Sequence, residues 1–310
     1  MRPAFSVVFL TTLIGAGQGL FLALLMAEWA ARLSQAPVPA GFLAHGSIVA
    51  VLLCCGGLAA SFFHLGRPGR AWRAAAMWRT SWLSREVIAL PAFIALCMAY
   101  GIAHGRGAGI AVFLGAAALA ACAALFVCTS MIYACIRFLQ EWSSPFTFVN
   151  FVLMGCASGF TLAAALAARE ASTLVTPFRY GAIILALAAL ASRAASLVRN
   201  ARLVPRSTTQ SAIGARSAQA VQKSRGFTGG SFNTREFFHG VSGRGLAGVL
   251  ALFMLLAFVV PLAMLAMAGE DSRTLLALAF AVQYAGLLAE RWYFLADARH
   301  PQNLYYQSVA

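Results

Sequence analysis

The chain has 310 residues, 61% of them hydrophobic and 10% charged, with a formal net charge of +14. Soluble domains carry charge on about a quarter of their residues, so this composition excludes an ordinary soluble globular protein. Apolar runs longer than the roughly 20 residues that cross the hydrocarbon layer indicate an all-α polytopic membrane protein, and the missing ten-residue alternation excludes a transmembrane barrel.

Eight transmembrane helices are predicted, over 5–33, 41–63, 86–104, 109–137, 145–168, 178–198, 244–268 and 273–295. The apolar run from Phe5 outlasts a signal-peptide core, so it reads as the first span and not as a cleaved leader. The links are short except for two. One is 64–85. The other is 199–243, which is basic and rich in Ser, Gly and Gln. Eight helices place both termini and the 2–3, 4–5 and 6–7 links on one side. Of the 23 Lys and Arg residues, all but Arg32, Arg106, Arg169, Arg179 and Arg273 fall on that side, helix ends included. The positive-inside rule makes it the cytoplasmic side of a bacterial inner membrane. Anionic membrane lipids or an acidic partner account for the charge, with no nucleic acid needed.

A repeat divides the chain into two four-helix bundles, 1–143 and 144–310. Leu13-Ile14-Gly15, Gly19, Leu22 and Ala23 return as Leu153-Met154-Gly155, Gly159, Leu162 and Ala163. Each bundle therefore opens on a Gly-x-x-x-Gly face, which permits close helix contact. Ser81-Trp82-Leu83-Ser84-Arg85-Glu86 is echoed by Ser231-Phe232-Asn233-Thr234-Arg235-Glu236. Both fall on the cytoplasmic side, so the repeat is parallel. Ser84 and Thr234 read as helix N-caps, with Glu86 and Glu236 in the first turn, where the helix dipole favours negative charge.

Few polar groups are left at membrane depth. Glu28 is expected at the far interface, and Glu290-Arg291 as an internal pair. Gln18, Asn150 and Gln283 are expected to make interhelical hydrogen bonds. The seven cysteines lie in apolar runs without CxxC spacing and read as packing residues, not cluster ligands. Among the histidines, only His64 and His239 share a depth at which a b-type haem could be held between helices.

The exception is the 64–86 stretch. It carries His64, five arginines (67, 70, 73, 79 and 85), Trp72, Trp78, Trp82 and Glu86. A quinone ring needs a hydrogen-bond donor at a carbonyl, a proton relay and a flat apolar slot. His64 can donate and relay near neutral pH. Glu86 can relay protons if burial raises its pKa. Arg70 or Arg73 can hold Glu86 ionised or polarise a carbonyl. The tryptophans can form the slot. A plain interfacial belt, with arginines on headgroups and tryptophans at the boundary, explains the same residues.

The run His64-Leu65-Gly66-Arg67-Pro68-Gly69-Arg70-Ala71-Trp72, followed by Ser84-Arg85-Glu86, resembles the membrane anchor of dimethyl sulfoxide reductase, the DmsC family within the wider NrfD/PsrC group. The resemblance implies an anchor holding no metal or haem. It would exchange electrons between a four-cluster ferredoxin-like iron–sulfur subunit and ubiquinone or menaquinone, beside a molybdopterin catalytic subunit. It carries the quinone-binding role onto His64, Gly66, Arg70 and Glu86, with Trp72 at an aromatic position and Arg73 beside them. Ala74 departs from the family pattern. Arg67, Arg79, Arg85, Arg225, Arg235 and His239 then face the docking subunit. The long loop with Asn233 to Gly240 is most similar to the SoeC anchors of cytoplasmic sulfite dehydrogenases, implying sulfite oxidation to sulfate. The alternatives are a quinol-oxidising anchor of a dimethyl sulfoxide reductase-type complex, a haem b cytochrome subunit, or a secondary transporter. An apolar midplane, with charge gathered at one face, argues against the transporter.

Overall fold

The computed structural model describes residues 1–35, 37–63, 65–214 and 236–304. These residues form helices and turns and no strand. We number the helices α1 (Phe5–Ser34), α2 (Ala40–Phe62), α3 (Trp82–Gly105), α4 (Ala111–Ala134), α5 (Pro145–Glu170), α6 (Val175–Ala201), the five-residue α7 (Thr209–Ile213), α8 (Gly243–Met267) and α9 (Arg273–Asp297). A 3₁₀ helix, Pro68–Met77, joins α2 to α3 and packs against α3. Helices α1 to α6 and α8 are long and apolar enough to cross a membrane. This is a multi-pass membrane protein. The eighth predicted span is a 25-residue helix, α9, about 37 Å long. Its apolar character is diluted by Arg273, Gln283, Glu290 and Arg291, and it falls short of the other seven.

α3 begins a turn earlier than expected. Ser81, not Ser84, is its N-cap: Ser81 is extended (φ −107°, ψ 126°) and its side chain accepts from the Ser84 N–H at 3.3 Å. Both serines suit the role, and the earlier one lets Trp82 and Leu83 join the helix. Glu86 is thereby moved out of the first turn, so helix-dipole stabilisation no longer accounts for it. In the second half, Thr234 lies outside the described residues, and α8 is capped by Ser242, which accepts from Gly245 N–H at 3.2 Å.

Contacts sort the helix ends into two faces. The Met1 amine donates to the carbonyls of Ala296 (2.9 Å) and Ala298 (3.1 Å), so α1 begins where α9 ends. Trp142, in the α4–α5 link, donates to Phe294 O at 2.9 Å, and Arg199 at the end of α6 donates to Gln140 O at 3.0 Å. We call this the terminal face. At the far face, His45 near the start of α2 meets Glu170 at the end of α5 at 2.9 Å, and Arg179 of α6 donates to Ala268 O.

α1 and α5 are the most enclosed spans, 72% and 78% buried over their apolar windows. They cross on their glycines. A Cβ on Gly19 would collide with the Gly155 carbonyl, and one on Gly159 would collide with the Gly19 backbone. The two glycine faces of the repeat therefore meet each other. The main apolar core surrounds this crossing and draws on both halves of the chain, from Leu10 to Ala279. A second close approach sits between α8 and α9. Pro261 lacks the N–H that an α-helix would bond to Ala257, and the preceding turn, Leu255–Val259, widens into a π-bulge. Gly286 of α9 lies against Ala257 in that bulge.

Candidate functional site

Glu86 is the centre of the site. It is 5% exposed, one turn inside α3 at the terminal face. Its Oε1 accepts one hydrogen bond, from Thr129 Oγ1 of α4, at 2.5 Å. Among the described residues it forms no ion pair, and neither Arg70 nor Arg73 reaches it. A buried carboxyl with one donor and no counter-charge is costly as a purely structural element.

Packed against the same helix, α3, is the 3₁₀ segment. Arg70, Trp72 and Arg73 are exposed on it, with Trp72 71% accessible. Arg73 lies over the Trp72 ring at 5.4 Å and Arg79 over Trp78 at 5.4 Å. Gly66 is exposed, and a Cβ there would meet nothing. Among the described residues, therefore, nothing makes glycine a steric necessity at that position. Arg85 closes the loop: its Nε donates to Trp78 O (2.8 Å), its Nη2 to Arg79 O (2.7 Å), and it stacks on Trp82 at 4.2 Å. Its guanidinium is thus held within the chain, whereas Arg67 and Arg79 are exposed. His239 is half-buried and its Nδ1 accepts from Val241 N–H at 3.1 Å. His64, Arg225 and Arg235 lie outside the described residues.

Three features escape a reading of the sequence. Thr129, the partner of Glu86, is an ordinary residue in an apolar helix 43 positions away. Glu28, expected at the interface, is 4% exposed. It accepts from Arg32 Nη2 at 2.7 Å and Tyr100 Oη at 2.9 Å, with His104 Nε2 at 3.4 Å, beside a cavity of about 320 Å³ at the far face. The i,i+4 spacings Glu28/Arg32 and Tyr100/His104 were the available signals. Third, Glu290 pairs with Arg193 of α6 at 2.9 Å, and an arginine well inside an apolar helix was the clue. Of the mid-membrane amides, Gln18 donates to Cys122 O at 2.8 Å as expected, whereas Asn150 Oδ1 and Gln283 Oε1 have no partner among the described residues.

Among the described residues, no three His, Cys, Asp or Glu side chains converge to hold a metal ion. His45 and His104 both face carboxylates at the far face. His300 stacks on Phe237 at 3.9 Å.

A multi-pass helical protein with a buried carboxyl on α3, and an arginine- and tryptophan-rich segment packed on the same helix, has a build that suits a membrane anchor subunit. The comparison with known families makes this specific: residues 1–306 match the family described as the DMSO reductase anchor subunit (DmsC), and the chain belongs to that family. It is also 56% identical over 325 residues to a sulfite dehydrogenase subunit of Allochromatium vinosum, with all of both chains covered.

Proposed function

We propose that this chain is the membrane anchor and quinone-reactive subunit of a sulfite-oxidising molybdenum/iron–sulfur complex in a bacterial inner membrane. The observation that carries the reading is Glu86, buried at the terminal face with one hydrogen bond and no counter-charge among the described residues. The likeness to a sulfite dehydrogenase subunit favours sulfite over a sulfoxide as the complex's substrate. The molybdopterin subunit would convert sulfite and water to sulfate, two protons and two electrons. The electrons would pass through the iron–sulfur subunit to a quinone beside α3. Reduction of the quinone to quinol consumes two protons. Glu86 and His64 deliver them from the water side, while Arg70 and Arg73 orient a ring carbonyl and Trp72 forms one wall of the slot. The arginine asymmetry supports a cytoplasmic position for the terminal face, the loop and the partner subunits. The exposed Arg67 and Arg79, with Arg225 and Arg235, present positive charge to an acidic partner. α9 completes eight spans, in two repeated halves.

The test is Glu86→Gln and His64→Ala in the assembled complex. Each should abolish sulfite oxidation linked to quinone and leave sulfite oxidation by a soluble artificial acceptor near wild type. Quinone-linked rates near wild type in both variants would overturn the site. Equal loss with both acceptors would instead mean a failure of assembly.

A further inference from the structure

α6 and α8 part company at the terminal face. The α6 backbone runs close to α8 along Leu255–Met267 and diverges from it along Gly243–Met254. A cavity of about 940 Å³ lies there, lined by Leu197 and Val198 of α6, Leu250 of α8, and Tyr293 and Asp297 of α9. Its size is that of a ligand pocket. One side of it meets lipid. Tyr180, Ile184, Leu187 and Val198 are each at least 50% exposed, and their spacing puts them on one face of α6. An exposed apolar stripe on a spanning helix is the face turned to acyl chains. Val198 is the last member of that stripe and also lines the cavity.

Beyond the end of α6 the lining turns polar and carries both signs of charge: Arg206 and Arg299, Glu141 and Asp297. None of these four forms an ion pair among the described residues. Asp297 accepts only from Tyr293 Oη, at 3.4 Å. Asn303 Oδ1, buried in the same lining, has no donor among the described residues. The Met1 amine is within electrostatic reach of both carboxylates, but its hydrogen bonds go to Ala296 O and Ala298 O. Burial, against the pull of Asp297 and Glu141, lowers this amine to about 6, so at neutral pH it offers them little charge. Two guanidinium groups and two carboxylates are complementary to a headgroup that carries both charges. A net-anionic headgroup would suit the arginines and be repelled by the acids. A quaternary choline has no N–H to give to a carboxylate or to Asn303 Oδ1, whereas a primary ammonium has three.

We propose that this cavity is a binding site for one phosphatidylethanolamine molecule, its phosphodiester held by Arg206 and Arg299 and its ammonium by Glu141, Asp297 and Asn303 Oδ1. Arginine matches a phosphate with paired N–H donors, and charged pockets between spanning helices are where lipid headgroups are recognised. An acyl chain leaves the cavity past Val198 and Leu250 into the gap between α6 and α8, so the lipid takes the place of the helix contact missing there. The inference does not depend on the quinone site at Glu86.

The experiment reconstitutes the whole complex in vesicles of equal parts phosphatidylethanolamine, phosphatidylcholine and phosphatidylglycerol, extracts it into mild detergent, and counts the retained phospholipid by headgroup. The wild type should keep phosphatidylethanolamine in preference to the other two. The double variant Arg206→Gln/Arg299→Gln should lose it severalfold. Glu141→Gln/Asp297→Asn should lose it too and retain phosphatidylglycerol instead, because the two arginines then face no acid. That exchange of headgroups is a result that loosened packing would not produce. Arg169→Gln, an exposed position at the far face, is the control and should match the wild type. Equal phosphatidylethanolamine in every variant would mean bulk annular lipid and overturn the inference. A wild-type preference for another headgroup would overturn it as well, as would no retained phospholipid, the result expected if a partner subunit's segment fills the cavity. If the charge variants fail to accumulate, Val198→Trp, on the lipid-facing stripe, narrows the entry and should lower retained phosphatidylethanolamine severalfold. Unchanged retention in that variant overturns the inference.

Discussion

Arg85 combines two hydrogen bonds to the loop's last carbonyls with a stack on Trp82, and so fixes where the loop meets α3. Arg85→Ala should loosen residues 65–81 by about 1 kcal/mol and raise the quinone KM more than it lowers kcat. Arg85→Lys should not rescue this, because a single ammonium group reproduces neither the fork nor the planar stack. A wild-type KM in both variants would remove Arg85 from the loop's support. Near the chain ends, burial and the nearby N-terminal amine hold His300 below the ordinary histidine range. Burial, then the same amine, does so for His239, against an opposing pull from Asp297. The folded form therefore binds fewer protons than the unfolded one. These contacts contribute stability above about pH 6.5, and that stability is lost as pH falls through the folded-state values. Corrected amide exchange in 236–241 and 298–304 should be slower at about pH 7.5 than at about pH 5.5. Equal protection at the two values would contradict it. Glu86 stood out in the sequence because a carboxylate in an apolar run is rare. Thr129 did not, because threonine is commonplace in such helices and its role depends on which helix it faces.

The eight helical segments were legible from the length of their apolar runs, to within a few residues at each end. Their ends were less so. α3 offered two serines three residues apart, and only backbone geometry shows that Ser81 is the cap. The glycine faces of α1 and α5 were legible as places for close contact, but not as each other's partners. That pairing requires the two halves to share one core. Gly19→Leu should push α1 from α5, because the neighbour at that point is backbone and cannot swing aside. Overpacking of this kind costs about 1–3 kcal/mol or more, so the variant's yield and melting temperature should both fall. Gly41→Leu is the control, since a Cβ at Gly41 meets nothing within 4 Å. Equal stability of the two variants would refute the crossing. The π-bulge at Leu255–Val259 was not anticipated, although Pro261 signals a missing backbone donor and Gly286 a close neighbour.

For the whole molecule, the arginine count yields a sidedness that a reporter can check. A fusion after residue 304 should be active on the cytoplasmic side, and one in the 106–109 link on the opposite side. The reverse pattern would turn the 65–81 loop to the other compartment. The buried charges divide between the two faces. Glu28, Arg32, Tyr100 and His104 lie at the far face, and Glu86 with the Arg193–Glu290–Arg291 cluster lies toward the terminal one. Composition located the charge at the ends of helices. It could not reveal which charges turn inward, because that depends on how neighbouring helices are rotated.

The enclosed position of α1 bears on how the protein is made. α1 leaves the ribosome before α4 and α5, yet it is among the helices least suited to standing alone in lipid, with Gln18 and its glycine face awaiting partners on those two helices. Translation runs at about 5–20 residues per second, so α5 follows roughly 7–28 seconds later. During that interval the groove of α1 needs a temporary occupant, which gives the insertion machinery a holding role for this chain. An early release of α1 into the bilayer would expose the surface that later becomes the centre of the fold.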